Sequence, residues 1–119
     1  MVEQVNIKKL SNFDNKSLAI VDDDNPFRDR LARAMEKKGF QVFQAEGVKQ
    51  GIQTVKEKKP GFAVVDLRLA DGNGIEVVKQ IQSSNSNSRI IMLTGYGNIP
   101  TAVAAIKEGA IDYLAKPAD

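Results

Sequence analysis

The stretch IVDDDNP, residues 20–26, places three carboxylates side by side directly after an apolar run. Two like charges about 4 Å apart near a protein surface repel each other by roughly 4 kcal/mol. Carboxylates held this close must protonate or pair with a cation, which is either a basic side chain or a bound metal ion. The acidic run therefore predicts that another part of the chain completes a charged site.

The acidic run stands between a predicted strand and a predicted helix. SLAIV, residues 17–21, is a continuous apolar run, which is typical of a strand buried on both faces. Residues 25–40 carry apolar side chains at helical spacing. We expect Asp24 or Asn25 to cap this helix and Gly39 to end it. The two segments together predict a β-strand followed at once by an α-helix.

The rest of the chain repeats this alternation. Further strands are predicted at 40–45, 62–67, 89–93 and 110–115, and further helices at 47–59, 75–82 and 99–109. The segment ADGNG, residues 70–74, is rich in turn formers and predicts a loop, with Asp71 as a turn residue. Alternating β and α elements with continuous apolar strands favour an α/β fold built on an open parallel sheet.

The length and composition of the chain limit the functions that it can have. The chain has 119 residues, 42% apolar and 27% charged, which is the size and balance of one globular domain. It has no Cys and no His, which excludes thiolate and imidazole metal sites, His-dependent triads and a phosphohistidine on this chain. A net charge of +2 does not favour direct nucleic-acid binding. No apolar run is long enough to span a membrane, so we expect a cytoplasmic protein without a membrane partner.

Polar side chains stand at the carboxyl ends of four predicted strands. They are Asp22 and Asp23 after the first strand, Asp66 in the third, Thr94 after the fourth and Lys116 after the fifth. In open doubly wound sheets, ligands bind outside the carboxyl ends of the strands. We therefore expect these side chains to converge on one cleft.

Such a cleft would suit a hard divalent cation and phosphoryl chemistry. Mg²⁺ prefers oxygen ligands in an octahedron and keeps several waters, so Asp23, Asp66, a backbone carbonyl and a phosphoryl oxygen could fill its shell. With the metal in place, one carboxylate becomes a nucleophile toward phosphorus. The hydroxyl of Thr94 and the ammonium of Lys116 would then stabilise the phosphoryl oxygens.

Four motifs, in this order, resemble the receiver domain of bacterial response regulators: VDDD, VVDLRLADGNG, MLTGYG and DYLAKP. The resemblance covers about residues 17–117 and implies a flavodoxin-like (CheY-like) fold with five parallel strands in the order 2-1-3-4-5. More narrowly, the chain resembles the RegA/PrrA/ActR group of redox-responsive regulators. In that group a receiver is joined to a Fis-type helix-turn-helix domain, and a membrane sensor histidine kinase is the phosphodonor.

The resemblance implies a phosphoacceptor and a set of metal ligands. It makes Asp66 the phosphoacceptor. It makes Asp23 a direct ligand of Mg²⁺, and Asp22 a ligand chiefly through water. Asp66 itself and the backbone carbonyl of Arg68 complete the implied metal site.

The resemblance also implies a switch around the phosphoryl group. Thr94 would sense the phosphoryl group, Gly95 would leave room for it, and Lys116 would pair with its oxygens. Tyr113 would be the aromatic side chain that swings inward on activation. The Lys116–Pro117 peptide is cis in this family, which agrees with a tight turn that presents Lys116.

The expected organisation is a polar N-terminal extension, residues 1–16, and a receiver domain, residues 17–119. Receivers normally carry a fifth helix after the fifth strand, and this chain ends at Asp119. Without that helix, an apolar patch on one face of the sheet would be uncovered. We expect a truncated receiver without an output domain; the alternatives are that the N-terminal extension or another molecule covers the patch. The implied partners are a sensor histidine kinase, a second copy in a homodimer, and DNA reached only through an output domain absent from this chain.

The sequence leaves two other functions open. One is a small Mg²⁺-dependent phosphohydrolase with an Asp nucleophile, similar to haloacid-dehalogenase-like enzymes. Such an enzyme would carry a cap or a substrate-specificity insertion, which this chain lacks, and turnover of free phosphate esters would identify it. The other is a phosphorylation-independent pseudo-receiver that acts as a binding module, which failure to bind Mg²⁺ would favour.

Overall fold

The computed structural model describes residues 16–95, 107 and 112–116, which form a parallel sheet with helices on both faces. The described strands are β1 (Ser17–Val21), β2 (Gln41–Ala45), β3 (Phe62–Asp66), β4 (Arg68–Leu69), β5 (Gly72–Asn73), β6 (Arg89–Thr94) and β7 (Asp112–Ala115). The main sheet has the order β2-β1-β3-β6-β7, and each neighbouring pair is parallel. This confirms the predicted strand order, because β4 and β5 form a separate small ribbon.

Three helices fall within the described residues. They are α1 (Asn25–Lys37), α2 (Val48–Lys58) and α3 (Ile75–Ser84). The side chain of Asp24 accepts a hydrogen bond from the Phe27 N–H and caps α1, as the sequence predicts. Gly39 follows α1 with φ +97°, a conformation that favours glycine at a helix end. Of the helix predicted at 99–109, only Lys107 is described.

The sheet separates two apolar layers. On one face, Val21 and Val65 pack with Val77 of α3 in the larger core cluster, which also includes residues of α2. On the other face, Leu18 and Ile20 pack with the side chain of Ala32, which lies on α1. Every residue of β1 is buried, because this central strand has a helical layer on each side. The continuous apolar run at 17–21 is the sequence signature of that position.

The face of the sheet toward α1 carries an apolar groove at the amino ends of the strands. Its lining is Leu18, Met35, Phe40, Phe62, Ala63, Val64, Arg89 and Ile91. Leu114 of β7 is 55% exposed, and strand alternation places it on this face, since its neighbour Tyr113 packs against the opposite core. The predicted extension, apart from Lys16, and the predicted end at residues 117–119 lie outside the described residues.

The loop predicted at 70–74 has more structure than the sequence indicates. Arg68 pairs with Asn73, and Leu69 pairs with Gly72, in a two-stranded antiparallel ribbon. The turn chemistry was correct, since Ala70 and Asp71 form the tip of this ribbon. The paired arms were missed because two-residue strands are too short to show alternation.

Candidate functional site

The carboxyl ends of the main strands bring the predicted polar residues to one edge of the sheet. Asp22 follows β1, Asp66 ends β3, Thr94 ends β6 and Lys116 follows β7. These strands are neighbours in the sheet, so the four residues lie side by side although they come from distant parts of the sequence. The convergence predicted from the alternating pattern is therefore what the structure shows for these residues.

Lys116 lies between two buried carboxylates. Its Nζ is 3.0 Å from Asp22 Oδ2 and 3.2 Å from Asp66 Oδ2. The same ammonium lies 4.9 Å from the centre of the Phe27 ring, a cation–π contact. The backbone N–H of Lys116 donates to the Thr94 carbonyl at 2.7 Å, which continues the pairing of β6 with β7 by one residue. The sheet itself thus positions the ammonium.

Three carboxylates share this site. One oxygen each from Asp22, Asp23 and Asp66 lies within 4.8 Å of the others. Asp22 is fully buried and Asp66 is 6% exposed, whereas Asp23 faces solvent. Asp24 points away to cap α1, so the acidic run contributes two of its three carboxylates to the cluster. Among the described residues, Lys116 contacts the carboxylates and Arg28 contacts the Asp22 backbone carbonyl, so three negative charges exceed the positive charges of these two side chains.

The donor set fits a hard divalent cation. Asp22 Oδ1 accepts hydrogen bonds from the Asp24 N–H at 2.9 Å and from Lys116 Nζ at 3.2 Å. Asp22 Oδ2 is buried and approaches Lys116 without hydrogen-bonding geometry, so it has no hydrogen-bond partner in the described part of the chain. This oxygen is ion-paired with Lys116 at 3.0 Å, and a carboxylate oxygen keeps further lone pairs that a metal ion or an ordered water can use. Carboxylate oxygens are also the ligands that Mg²⁺ and Ca²⁺ prefer.

The pKa values of the site follow from burial and crowding. Burial and repulsion from Asp22 raise the pKa of Asp66 to about 6, against the opposing effects of Lys116 and of the Arg68 N–H. Burial by itself would lower the pKa of Lys116, but its hydrogen bonds and its attraction to Asp22 and Asp66 outweigh burial and raise that pKa. Lys116 therefore stays protonated at neutral pH, and Asp66 is a carboxylate that a cation would stabilise further.

Thr94 and Tyr113, the residues with an implied switching role, are packed differently. Thr94 is fully buried, and its Oγ1 donates to the Gly95 carbonyl at 3.0 Å, back onto its own loop. A Cβ placed on Gly95 would meet no atom of the described residues within 4 Å. Tyr113 is half-buried against the core on the α2 and α3 side of the sheet. The implied inward swing of Tyr113 stays a prediction.

Arg28 belongs to the site region and was not singled out from the sequence. Its guanidinium is buried; Nη1 donates to the Asp22 carbonyl at 2.7 Å and Nε to Gln44 Oε1 at 2.8 Å. It thereby ties the loop after β1 to the end of β2. One signal was available, since Arg28 stands four residues before Ala32 and so on the buried stripe of α1.

The ribbon after β3 holds Arg68 beside the phosphoacceptor candidate. The Arg68 N–H donates to Asp66 Oδ1 at 3.3 Å. At the base of the ribbon, the Gly74 N–H donates to the Leu67 carbonyl at 2.8 Å. A Cβ on Gly74 would overlap the Asp66 carbonyl oxygen, so this close approach requires glycine. The cis peptide predicted at Lys116–Pro117 lies outside the described residues.

Asp71 does more than form the predicted turn. Its carboxylate accepts hydrogen bonds from the Val48 N–H at 2.7 Å and from the Lys49 N–H at 3.1 Å, and so caps α2 from the tip of the ribbon. These bonds lower the pKa of Asp71. The sequence held a weak signal for this contact, because the N-cap of α2 is Gly47, which has no capping side chain of its own.

These features match one family of signalling domains. The family model described as response regulator receiver domain matches residues 18–119, and the chain belongs to this family. It is the receiver domain of a two-component response regulator. Among curated proteins it is 58% identical to the photosynthetic apparatus regulatory protein RegA of Rhodobacter capsulatus and to the acid tolerance regulatory protein ActR of Rhizobium meliloti, each over 105 residues. These alignments cover 88% of this chain and 57% and 54% of those proteins, so the chain spans little more than half of their length.

Solved structures give the same result. A response regulator from Burkholderia pseudomallei, solved with a phosphorylated aspartic acid, a calcium ion and citrate, superposes with a TM-score of 0.81 at 37% identity. The match covers 88% of this chain and 62% of that one. A CheY-like receiver domain from Methanospirillum hungatei JF-1 also gives 0.81, at 28% identity, with 88% and 84% of the two chains covered. Within the described residues, no helix has the length and apolar character needed to span a membrane.

Proposed function

We propose that Asp66 accepts a phosphoryl group from a sensor histidine kinase with the help of Mg²⁺, and that the phosphorylated domain controls a DNA-binding output domain of a longer transcription regulator. The observation that carries this proposal is the position of Lys116 Nζ, within 3.2 Å of both Asp22 and Asp66 in a cluster of three carboxylates. A site with excess negative charge and one fixed ammonium is suited to a metal ion and a phosphoryl group together.

Phosphoryl transfer needs a nucleophile that is ionised and held in place. The Arg68 N–H holds one oxygen of Asp66, and Lys116 holds the other. An Asp66 oxygen attacks phosphorus, and the bond from phosphorus to the imidazole nitrogen of the kinase breaks. Its electron pair leaves with the imidazole. With acetyl phosphate, acetate leaves in the same way. Attack of water on the aspartyl phosphate would release inorganic phosphate and restore Asp66, so the domain would also dephosphorylate itself.

Asp22, Asp23, Asp66 and the Arg68 carbonyl are the groups that would hold Mg²⁺. When bound, the metal neutralises carboxylate charge and draws charge away from the phosphoryl oxygens. The hard oxygen donors support this assignment, as does the buried Asp22 Oδ2, which has no hydrogen bond within the described residues. The Burkholderia response regulator, which was solved with a phosphorylated aspartic acid and a calcium ion, supports a divalent metal at this site.

The switch would run through the buried Thr94 hydroxyl. A phosphoryl group adds about −1.5 to −2 charges at Asp66. Thr94 Oγ1 would then donate to a phosphoryl oxygen instead of to the Gly95 carbonyl, and Tyr113 would move toward the space that Thr94 leaves. Such a rearrangement converts a local change of charge into a changed surface.

The proposed partners follow from family membership. The phosphodonor would be a cytoplasmic kinase module of a membrane sensor, and this chain would act in the cytoplasm. A homodimer would form on activation, and DNA would be bound by the output domain. The names of the RegA and ActR relatives, as regulatory proteins of photosynthesis and acid tolerance, support a role in gene regulation.

The test is incubation with acetyl phosphate and Mg²⁺, followed by intact-mass measurement. We expect one phosphoryl adduct that disappears with EDTA and in Asp66→Asn. A folded protein that gives no adduct at saturating Mg²⁺ would contradict the proposal and favour a pseudo-receiver. Release of many p-nitrophenol molecules per chain from p-nitrophenyl phosphate, with no lasting phosphoryl adduct, would instead indicate a phosphohydrolase.

A further inference from the structure

The tip of the ribbon after β3 is fastened to a different part of the molecule by one side chain. Asp71 accepts hydrogen bonds from the N–H groups of Val48 and Lys49, which are 23 and 22 residues away in sequence. The N-cap residue of α2, Gly47, supplies no side-chain hydrogen bond. A Cβ on Gly47 would lie 2.5 Å from Asp71 Oδ1. The start of α2 is therefore shaped to receive this carboxylate.

The ribbon between these fixed points has little stability of its own. It contains only the pairs Arg68–Asn73 and Leu69–Gly72, and two-stranded ribbons are at best marginally stable by themselves. Leu69 is buried in the larger core cluster and anchors one arm, whereas Arg68 is exposed. Its base is held where the Gly74 N–H donates to the Leu67 carbonyl. Its tip is held by Asp71. Arg68 lies between these two anchors.

Arg68 is the ribbon residue that contacts the Asp66 side chain. Its N–H contacts Asp66 Oδ1, and its carbonyl is a proposed metal ligand. A metal site requires its ligands to be held in place before the ion binds, because ordering them on binding reduces affinity. Loosening of the ribbon tip would therefore reach the metal through the position of the Arg68 carbonyl.

We propose that Asp71 is a positioning residue of the metal site: by capping α2 from the ribbon tip, it fixes the ribbon so that Arg68 presents its carbonyl to Mg²⁺. The inference rests on the proposed function. It adds that the β2–α2 connection and the loop after Asp66 act as one unit, joined through a carboxylate that does not itself touch the ion.

The test measures Mg²⁺ binding by isothermal titration calorimetry, without a phosphodonor, in the wild-type chain and in Asp71→Ala. We expect the dissociation constant to rise at least threefold. We also expect the Mg²⁺ concentration for half-maximal phosphorylation by acetyl phosphate to rise by the same factor, with the rate at saturating Mg²⁺ changed less than twofold. A weaker Mg²⁺ affinity with a nearly unchanged rate at saturating Mg²⁺ would mean that the metal site is harder to assemble while the Asp66 nucleophile is intact.

A second variant separates positioning from stability. Gly47→Ser combined with Asp71→Ala gives α2 a cap of its own, in space that the removed carboxylate vacates, without restoring the link to the ribbon. Asp71→Ala alone should lower the melting temperature, because α2 loses its cap. We expect the double variant to return to the wild-type melting temperature and to keep the weakened Mg²⁺ affinity of Asp71→Ala. Glu46→Gln is the charge control, since it removes an exposed negative charge next to Asp71 and leaves the cap intact.

Three results overturn the inference. The first is an unchanged Mg²⁺ affinity in Asp71→Ala. The second is recovery of affinity together with stability in the Gly47→Ser double variant, which would make Asp71 a helix cap and nothing more. The third is an equal loss in Glu46→Gln, which would reduce the effect to long-range charge. A wild-type chain that binds no Mg²⁺ overturns the proposed function and this inference together, whereas normal wild-type binding with any of the three results overturns this inference alone.

Discussion

The amino ends and the carboxyl ends of the parallel strands carry different kinds of buried polar groups. At the amino ends, Ser88 Oγ and Asn85 Nδ2 both donate to the Pro60 carbonyl, and Ser17 Oγ accepts from the Gly61 N–H. All of these groups are neutral. At the carboxyl ends, Asp22 and Asp66 are buried beside the ammonium of Lys116.

The contrast separates stability from function within one sheet. Neutral hydrogen bonds at the amino ends satisfy their groups and leave no charge uncompensated. The carboxyl ends hold carboxylates whose mutual repulsion the Lys116 ammonium offsets only in part, so this repulsion opposes folding when no metal ion is bound. Changes at the two ends should therefore differ in size, in sign and in their dependence on pH and metal.

The largest effect is expected from Lys116→Met. Removal of one partner leaves the buried carboxylates of Asp22 and Asp66 unpaired, which costs about 2–4 kcal/mol of unfolding free energy at pH 7. Urea unfolding without metal measures this loss, and 10 mM Mg²⁺ should restore part of it. Lys58→Met is the matched control, because Lys58 Nζ lies 5.4 Å from the Phe43 ring, on the helix α2, away from the carboxylates. Equal losses in the two variants would contradict this account of the site.

The next largest effect is an increase in stability, caused by the substitution Asp66→Asn. Asp66→Asn should raise the unfolding free energy of the metal-free protein by about 1–3 kcal/mol at pH 7.5. Burial and Asp22 raise the pKa of Asp66 from 3.8 to about 6, so its ionised form is less favourable in the folded state than in the unfolded chain. The destabilisation is absent below the unfolded pKa and grows as pH rises through the folded value.

The pH series is the check on Asp66→Asn. Chemical unfolding of the variant and of the wild type at pH 4 and pH 7.5 should give nearly equal stabilities at the lower pH and a more stable variant at the higher pH. A variant that is less stable than the wild type at pH 7.5 would show that Asp66 stabilises the metal-free fold.

At the amino ends of the strands, Ser88→Ala should lower the free energy of unfolding by about 1–2 kcal/mol. The buried Pro60 carbonyl then loses the hydrogen bond from the Ser88 hydroxyl. This loss should be the same at pH 5 and pH 8 and should not respond to Mg²⁺, since no partner titrates in that range. Unfolding curves with and without 10 mM Mg²⁺ measure it. A dependence on metal would break the proposed division between the two ends.

The smallest effect concerns Asp71, which is exposed. Its hydrogen bonds from Val48 and Lys49 lower its pKa below the ordinary 3.8. The stabilisation from this cap is present above pH 3.8 and is lost as pH falls through the lowered folded value. Carbon-detected NMR titration of the Asp71 carboxyl should show the lowered midpoint, and a midpoint at the ordinary value would mean that the cap does not form.

Comparison of β1 with the ribbon shows what the sequence could predict. β1 and α1 were predicted within a residue or two, because a continuous apolar run and a helical stripe are local patterns. The convergence of Asp22, Asp66 and Lys116 followed from a general property of parallel sheets, that their carboxyl ends share one edge.

The missed features are one ribbon with arms too short to show a pattern and two contacts between distant parts of the sequence. The ribbon depends on how the chain leaves Asp66, and the capping of α2 by Asp71 joins residues more than 20 positions apart. Arg28 has the composition of a surface residue and becomes buried only because β2 brings Gln44 to it. The periodicity of α1 can place Arg28 on the buried stripe, but it cannot name Gln44 as its partner, so the contacts themselves required the folded chain.

The contact between Asp22 and Lys116 spans 94 residues and has a consequence for the order of folding. A loop of that length closes late in folding, because its closure has a large entropic cost. Contacts formed earlier among β1, β3 and β6 must offset that cost. During synthesis, the first half of the site leaves the ribosome long before the last strand does. A partly made chain therefore has its acidic run exposed and no lysine beside it, and the pocket is assembled only when β7 has joined the sheet. Competence for phosphoryl transfer would then report that the described strands of the main sheet are all in place.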